Sequence, residues 1–239
     1  MQHIKEKLNH QVYELFPTIV YRGEITCHQE FKQKYFDELC KYWHWSEDLP
    51  REEIESPENS GRYFLHHNEN YEDFFKSLDL NVRNYLKVLD VDESKMNVYI
   101  TKSWLNIHKE ELPNTKIHIH NCSDISFCYY INCNETSDKL CFHQTKNNNE
   151  VSEFMFQTTK SGKYNLIEKY NKYNCNNYTV TPIEGTVVLF PSSTLHSTLK
   201  NDVMFGTRVS ICGDITLSVK EEYAKCEYGR VDPSLWRKI

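Results

Sequence analysis

The chain has 239 residues, of which 39% are hydrophobic and 26% charged, so it has the composition of an ordinary globular protein with a sizeable core. Its net charge of −6 disfavours a nucleic-acid partner, because binding to nucleic acid depends mainly on Lys and Arg. No apolar run approaches the ~20 residues of a membrane-spanning helix, and the first residues lack the apolar segment of a signal peptide. We therefore expect a cytoplasmic protein without a membrane partner.

The first part of the chain carries two helical patterns. A strand-like stretch at 12–22, interrupted by Pro17, comes first, and apolar residues then recur at three- and four-residue spacing from His28 to Trp45. A charged, proline-containing stretch at 49–62 predicts a loop. The helical spacing returns between Asn70 and Leu89, so we expect a second helix there.

From Met96 onward the pattern alternates with a period of two, which predicts strands. Two helices followed by about eight short strands favour a mainly β fold, a double-sheet jelly roll with the N-terminal helices covering one sheet. We find no linker, so residues 1–239 are interpreted as one domain with a helical part at about 28–90 and a β core at about 96–217. The predicted strands are 96–108, 117–120, 125–133, 140–144, 151–157, 176–182, 186–190 and 207–217, of which 140–144 and 151–157 are the weaker.

The nine cysteines are scattered, odd in number and without Cys-x-x-Cys pairs, which argues against a zinc ribbon. In a reducing cytosol we expect them to remain free thiols. Cys122, Cys128, Cys133 and Cys141 are interpreted as small buried hydrophobic residues of strands.

Three histidines and an arginine form a candidate metal site. His118 and His120 are two positions apart, so on a strand both imidazoles project from one face. His196 comes from far along the chain, and Arg208 follows it by twelve positions. Fe(II) is held well by imidazoles and carboxylates on one face, with open positions left for a co-substrate and dioxygen. The pattern therefore indicates a metal site beside an arginine that can bind a carboxylate.

Several short motifs together resemble one known family. They are Leu15-Phe16-Pro17-Thr18, Trp104-x-Asn106, His118-x-His120, Ser126-x-x-Tyr129-Tyr130, Gly185-Thr-Val-Val-Leu-Phe-Pro-Ser192, His196 and Arg208-x-Ser210. Over roughly residues 12–217 the chain resembles the 2-oxoglutarate/Fe(II) oxygenases of bacteria and phages. It departs from them at Phe127-Cys128, where the family usually has Gly-Val, and at His120, where wider relatives have the Asp of a His-x-Asp motif.

This resemblance implies a cupin-like double-stranded β-helix that hydroxylates a substrate with Fe(II), 2-oxoglutarate and dioxygen, and releases succinate and CO2. His118, His120 and His196 would hold the iron, and Arg208 would pair with the distal carboxylate of 2-oxoglutarate. Trp104 is assigned to core packing. Further co-substrate contacts would come from Asn106, Tyr130 and Ser210.

The ligand set has an alternative. Wider relatives bind the metal through two histidines and a carboxylate, and the nearest carboxylate after His120 is Asp124. In this second set His120, Asp124 and His196 bind the metal, and His118 lies outside the ligands. Charge balance favours it, whereas strand alternation favours the three histidines, because Asp124 needs a bulge or tight turn to reach back.

The function also has alternatives. A cupin-type enzyme with three histidine ligands would not use 2-oxoglutarate, and a non-catalytic sugar- or peptide-binding jelly roll would bind no iron tightly. The substrate, a small molecule or a side chain, is not determined by the sequence, and a homodimer is left open. The polar segments 46–68 and 144–178 are expected to form substrate loops, since loops on a rigid scaffold commonly carry specificity.

Overall fold

The computed structural model describes residues 13–47, 64–109, 115–144, 167–201, 206–223 and 230–237, together with 11, 149 and 151. No helix among them is long and apolar enough to span a membrane. The helices are α1 (His28–Glu47) and α2 (Glu72–Val88). The strands are β1 (Tyr21–Glu24), β2 (Met96–His108), β3 (Ile125–Asn132), β4 (Lys139–His143), β5 (Asn177–Val180), β6 (Thr186–Pro191), β7 (His196–Leu199) and β8 (Arg208–Val219).

The strands form two antiparallel sheets. The larger has the order β1-β6-β3-β8-β2 and the smaller the order β5-β4-β7. Side chains alternate across β3, so Phe127 and Tyr129 pack towards the helices while Cys128 and Tyr130 face the smaller sheet, where they meet Phe142. The predicted double-sheet fold, with helices on one outer face, is therefore confirmed.

The helices bury an apolar stripe against the larger sheet. In α2 the residues Phe74, Leu78 and Val82 recur at four-residue spacing, and each is at most 1% exposed. From the sheet side Leu189 and Ile211 enter the same core. This cover closes one face of the larger sheet and leaves its other face for the space between the sheets.

Some sequence-based boundaries were wrong. The stretch 117–120 is not a regular strand, since only His118 forms an isolated bridge, to His196. The first strand starts only at Tyr21, after the predicted stretch at 12–22 has almost ended, and the short β7 was not predicted. The predicted loop at 49–62 and all of the predicted strand at 151–157 except Val151 lie outside the described residues, as does much of the two proposed substrate loops.

The cysteine interpretation holds for two residues and fails for another. Cys128 and Cys141 are buried, and Cys133 is half-buried. Cys122 is exposed and has a φ of 66°, so it lies in a turn before β3 rather than inside a strand.

Candidate metal centre

The segment 118–120 lies against the end of the smaller sheet. The backbones of His118 and His196 exchange two hydrogen bonds of 3.0 Å, and the His120 amide donates to the Ser192 carbonyl at 3.0 Å. This pairing sets His118 and His120 beside β7, and one ring nitrogen from each of the three histidines lies within 4.8 Å of the others. The structure therefore brings together the three predicted histidines.

Hydrogen bonds at Nδ1 orient all three rings. Nδ1 of His118 donates to the Lys116 carbonyl at 2.7 Å, and Nδ1 of His196 donates to the Thr194 carbonyl at 2.9 Å. Nδ1 of His120 donates to the Asp214 carboxylate. Because a metal-binding histidine usually donates its other ring N–H to an oxygen, this pattern leaves three Nε2 lone pairs available as ligands.

The Nε2 atoms of His118 and His120 are 3.1 Å apart. With both protons on Nδ1, two lone pairs face each other, and this contact is repulsive unless a cation lies between them. Nitrogen ligands about 2.1 Å from a metal and at right angles to each other are separated by about 3.0 Å. The separation therefore fits two neighbouring ligands of one metal ion, and three imidazoles are a donor set suited to iron.

Burial keeps His196 neutral. Desolvation lowers the pKa of His196 to about 4, and the neighbouring rings of His118 and His120 act in the same direction. A neutral imidazole with its proton on Nδ1 is the form that binds a metal.

Asp214 supports His120 from the larger sheet. Its carboxylate also accepts a hydrogen bond from the Ser126 hydroxyl at 3.2 Å, and Ser126 lies 2.9 Å from the Ser192 hydroxyl. Asp214 is 7% exposed. Sequence reasoning missed this residue, although alternation along β8 places it on the same face as Arg208 and Ser210.

Asp124 lies elsewhere. Its carboxylate forms a salt bridge of 2.7 Å to Arg230 and accepts the Leu217 amide at 2.7 Å. The cluster of potential metal ligands contains the three histidines and not Asp124. Within the described part of the chain, the geometry therefore favours the three-histidine set.

Arg208 is buried without a carboxylate partner among the described residues. It is 1% exposed, and its Nε and Nη1 have no hydrogen-bond partner there. Nη2 lies 3.5 Å from Cys128 Sγ, and the guanidinium lies 5.1 Å from the centre of the Tyr130 ring. A buried unpaired charge is costly, so this position fits an anion such as the distal carboxylate of 2-oxoglutarate.

The other predicted residues surround Arg208 and the histidines. The Tyr130 hydroxyl is buried without a partner among the described residues. Ser210 lies opposite Asn106 on β2, and its hydroxyl donates to the Asn106 carbonyl at 3.4 Å. Trp104 is only half-buried and its ring centre lies 5.5 Å from that of His120, so it borders the metal site as well as packing.

Sequence reasoning also missed a buried pair of side chains, His108 and Asp138. His108 lies opposite Arg208 across β2 and β8, and its Nδ1 is 3.1 Å from the Asp138 carboxylate. The sequence signal for His108 was its place on the same strand face as Trp104 and Asn106, whereas nothing local indicates Asp138.

Comparison with known proteins gives a match to one family over part of the chain. Residues 102–214 match the model of a family described as "Putative 2OG-Fe(II) oxygenase", and this range includes the three histidines, Arg208 and Asp214. No curated protein sequence matches the chain.

Several solved structures are similar at low identity. AviO1 from Streptomyces viridochromogenes Tue57 has 10% identity and a TM-score of 0.49, covering 83% of this chain and 90% of its own. HygX from Streptomyces hygroscopicus, with nickel and 2-oxoglutarate bound, has 13% identity and a TM-score of 0.47, covering 90% and 92%. An oxidoreductase of the 2OG-Fe(II) oxygenase family from Burkholderia pseudomallei has 10% identity and a TM-score of 0.40, covering 60% of this chain and 58% of its own, so the chain spans less than two thirds of that relative. These likenesses are too weak to carry the assignment.

The fold is a helix-backed double sheet, and its three imidazoles are close enough together to be ligands of one metal ion. Residues 102–214, slightly less than half of the chain, are similar to the 2OG-Fe(II) oxygenase family. The matched region contains the three histidines and Arg208, the residues that would hold Fe(II) and 2-oxoglutarate, the two groups named in the description of that family.

Proposed function

We propose that the chain is a hydroxylase that uses dioxygen and converts 2-oxoglutarate to succinate and CO2. His118, His120 and His196 hold the iron, and Arg208 binds the distal carboxylate of 2-oxoglutarate. The observation that carries the proposal is the 3.1 Å contact between the Nε2 atoms of His118 and His120, together with the buried Arg208 guanidinium and its unpaired donors.

When bound, Fe(II) and 2-oxoglutarate supply the oxidising chemistry, and the protein positions them and excludes water. The chain contributes three neutral ligands, so no protein carboxylate on the metal offsets its charge. Asp214 hydrogen-bonds to His120, so its negative charge lies next to this ligand rather than on the metal itself.

The co-substrate site lies between the sheets. A guanidinium matches a carboxylate through two parallel hydrogen bonds, a geometry that Lys would not reproduce. The unpaired donors of Arg208 and the Tyr130 hydroxyl supply these bonds, with Ser210 and Asn106 nearby on the same face. Apolar side chains of both sheets, including Phe142 and Phe190, keep the space dry and so strengthen the pairing.

The substrate approaches from the solvent side of the imidazoles, because His118 and His120 are only half-buried. Its class is a small molecule or a protein side chain, and the net charge of −6 disfavours nucleic acid. A cytoplasmic location and a single domain over residues 1–239 stay predictions, and a homodimer stays open.

The test measures succinate formation from 2-oxoglutarate in air with added Fe(II), and 2-oxoglutarate affinity by calorimetry without oxygen. Losing the partner of a buried carboxylate costs about 3–5 kcal/mol, so Arg208→Met should raise the Kd more than about 100-fold. Arg22→Met is the matched control, since Arg22 is exposed on β1 and hydrogen-bonds the Thr181 carbonyl. Unchanged affinity in Arg208→Met, or no succinate from the wild type, would reject the proposal.

A further inference from the structure

We propose that His108, held by Asp138, is a second ligand of the distal carboxylate of 2-oxoglutarate, and that it takes up one proton when the co-substrate binds. This inference rests on the proposed function, because it places a further residue beside Arg208 in the same site.

His108 and Asp138 form a buried, hydrogen-bonded pair beside Arg208. His108 ends β2 and Arg208 begins β8, and the two are direct cross-strand partners that are 3% and 1% exposed. Asp138 is 2% exposed. Its carboxylate accepts one hydrogen bond from Nδ1 of His108 at 3.1 Å and another from the backbone N–H of Asn201 at 3.0 Å. Asp138 is thus occupied and does not form an ion pair with Arg208.

The tautomer follows from these contacts. An ionised Asp138 only accepts hydrogen bonds, so Nδ1 of His108 carries the proton and Nε2 carries a lone pair. The hydrogen bond that orients the ring is the one at Nδ1, which leaves Nε2 for a further partner. A lone pair would repel an arriving carboxylate, whereas a protonated Nε2 would donate to it.

Charge balance favours the protonated form in the complex. Without co-substrate and with the Cys128 thiol protonated, the charges of Arg208 and Asp138 cancel and His108 is neutral. A carboxylate bound beside Arg208 adds one buried negative charge, which is costly unless it is compensated. A proton from solvent that adds to Nε2 of His108 restores neutrality, and the resulting N–H can bind the carboxylate oxygen.

Other titratable groups near His108 and Asp138 could take up the proton in place of His108. Burial, and then the charge of Arg208, lowers the pKa of His108 to about 4, while Asp138 acts in the opposite direction. Around Arg208 lie Cys128, Cys212 and Tyr130, and a hydrogen bond from Cys212 lowers the pKa of the Cys128 thiol to about 6. Burial raises the pKa of Tyr130, so among these three Cys128 is the group that could take up a proton instead.

The experiment measures how many protons the protein takes up when 2-oxoglutarate binds. Calorimetry of 2-oxoglutarate binding to Mn(II)-loaded protein without oxygen, at pH 6.5 in two buffers of different ionisation enthalpy, should show about one proton taken up by the wild type. The Kd should then rise about tenfold between pH 6 and 7. In His108→Gln the uptake should disappear and the Kd should no longer depend on pH. The metal centre is common to both proteins, so their difference isolates the proton on His108.

Two further variants complete the design. Asp138→Asn leaves His108 in place but removes one negative charge, so it should also abolish uptake, and it replaces His108→Gln if that variant does not fold. The control is His143→Gln, since His143 hydrogen-bonds Ser197 at 2.8 Å and is not part of the site; its uptake should equal that of the wild type.

The outcomes separate the two proposals. If the wild type does not bind 2-oxoglutarate, the proposed function fails. If binding depends on Arg208 but the uptake persists in His108→Gln, or is absent from the wild type, this inference is overturned and the function stands. Uptake lost in Cys128→Ser but kept in His108→Gln would assign the proton to the thiol instead.

Discussion

The Asp214 carboxylate is not one of the potential metal ligands, but it contacts one of them, His120. Asp214 accepts from Nδ1 of His120, and Ser126 holds the same carboxylate through its hydroxyl. This arrangement fixes the tautomer and the orientation of His120, and it partly offsets the charge of a bound metal. A carboxylate that acts through a ligand contributes less to metal affinity than one bound directly to the metal.

Asp214→Asn should weaken metal binding by about 10- to 100-fold, because the amide removes the charge and can hold the wrong tautomer of His120. Optical titration with Co(II) measures the affinity. Asp214→Asn binding Co(II) as tightly as the wild type would show that this carboxylate does not support the ligand.

His118→Ala and Asp124→Ala decide between the two ligand sets. His118→Ala should lose tight Co(II) binding, because one of three ligands is removed. Asp124→Ala should keep it, because the Asp124 carboxylate contacts Arg230 and the Leu217 amide. The reverse result in the same titration would replace the three-histidine set by the set with a carboxylate.

At the scale of elements, α2 holds the larger sheet in place through its buried face. Phe74 is 0% exposed and its ring lies 4.8 Å from that of Tyr129 on β3. Phe74→Ala should lower the free energy of unfolding by about 3–5 kcal/mol, because it leaves a cavity between helix and sheet. Urea denaturation followed by circular dichroism measures the change.

Leu80→Ala is the matched control on the same helix. Leu80 is 51% exposed, so its truncation should change the stability by at most about 0.5 kcal/mol. Equal losses for the two variants would mean that the buried stripe of α2 does not anchor the helix.

The elements that the sequence predicts best are those with a long internal period. The strand 96–108 was predicted with both ends correct, and the helix from His28 was predicted within two residues of its end. β7 has four residues and shows no period of its own, so its existence depends on pairing with β4. Short strands of this kind are set by tertiary partners rather than by local pattern.

The site was predictable to the extent that its residues lie at strand spacing. His118, His120, His196 and Arg208 were found because two are adjacent on one face and all fit a known motif pattern. Asp214 was missed, although Arg208, Ser210 and Asp214 alternate along β8. Its pairing with His120 joins residues 94 positions apart, and no local signal indicates such a contact.

At the scale of the whole molecule, the thiols are expected to be free. The eight cysteines of the described residues form no disulfide, and the Sγ atoms of Cys128 and Cys212 are 3.6 Å apart, well beyond a disulfide bond of about 2.05 Å. Alkylation of the unfolded, non-reduced protein followed by mass spectrometry should count nine thiols. A reproducible deficit of two or more would contradict this prediction.

The proposed metal centre joins parts of the chain that do not otherwise share a sheet. His196 belongs to the smaller sheet, and His120 is tied through Asp214 to the larger one. A metal held by these histidines therefore binds the folded state and has no comparable site in the unfolded chain. Binding of this kind stabilises the fold by RT ln(1 + [L]/Kd), about 2.7 kcal/mol at a hundredfold excess over the Kd.

Mn(II) at that excess should raise the Tm by about 5–10 °C, since each 1 kcal/mol corresponds to about 2–4 °C in a chain of this size. 2-Oxoglutarate added with Mn(II) should raise the Tm further, because Arg208 then gains its partner. His196→Ala should show neither increase, which separates binding at this centre from adventitious metal binding. An equal Mn(II)-induced shift in wild type and His196→Ala, measured by differential scanning calorimetry, would place the stabilising metal away from the three imidazoles.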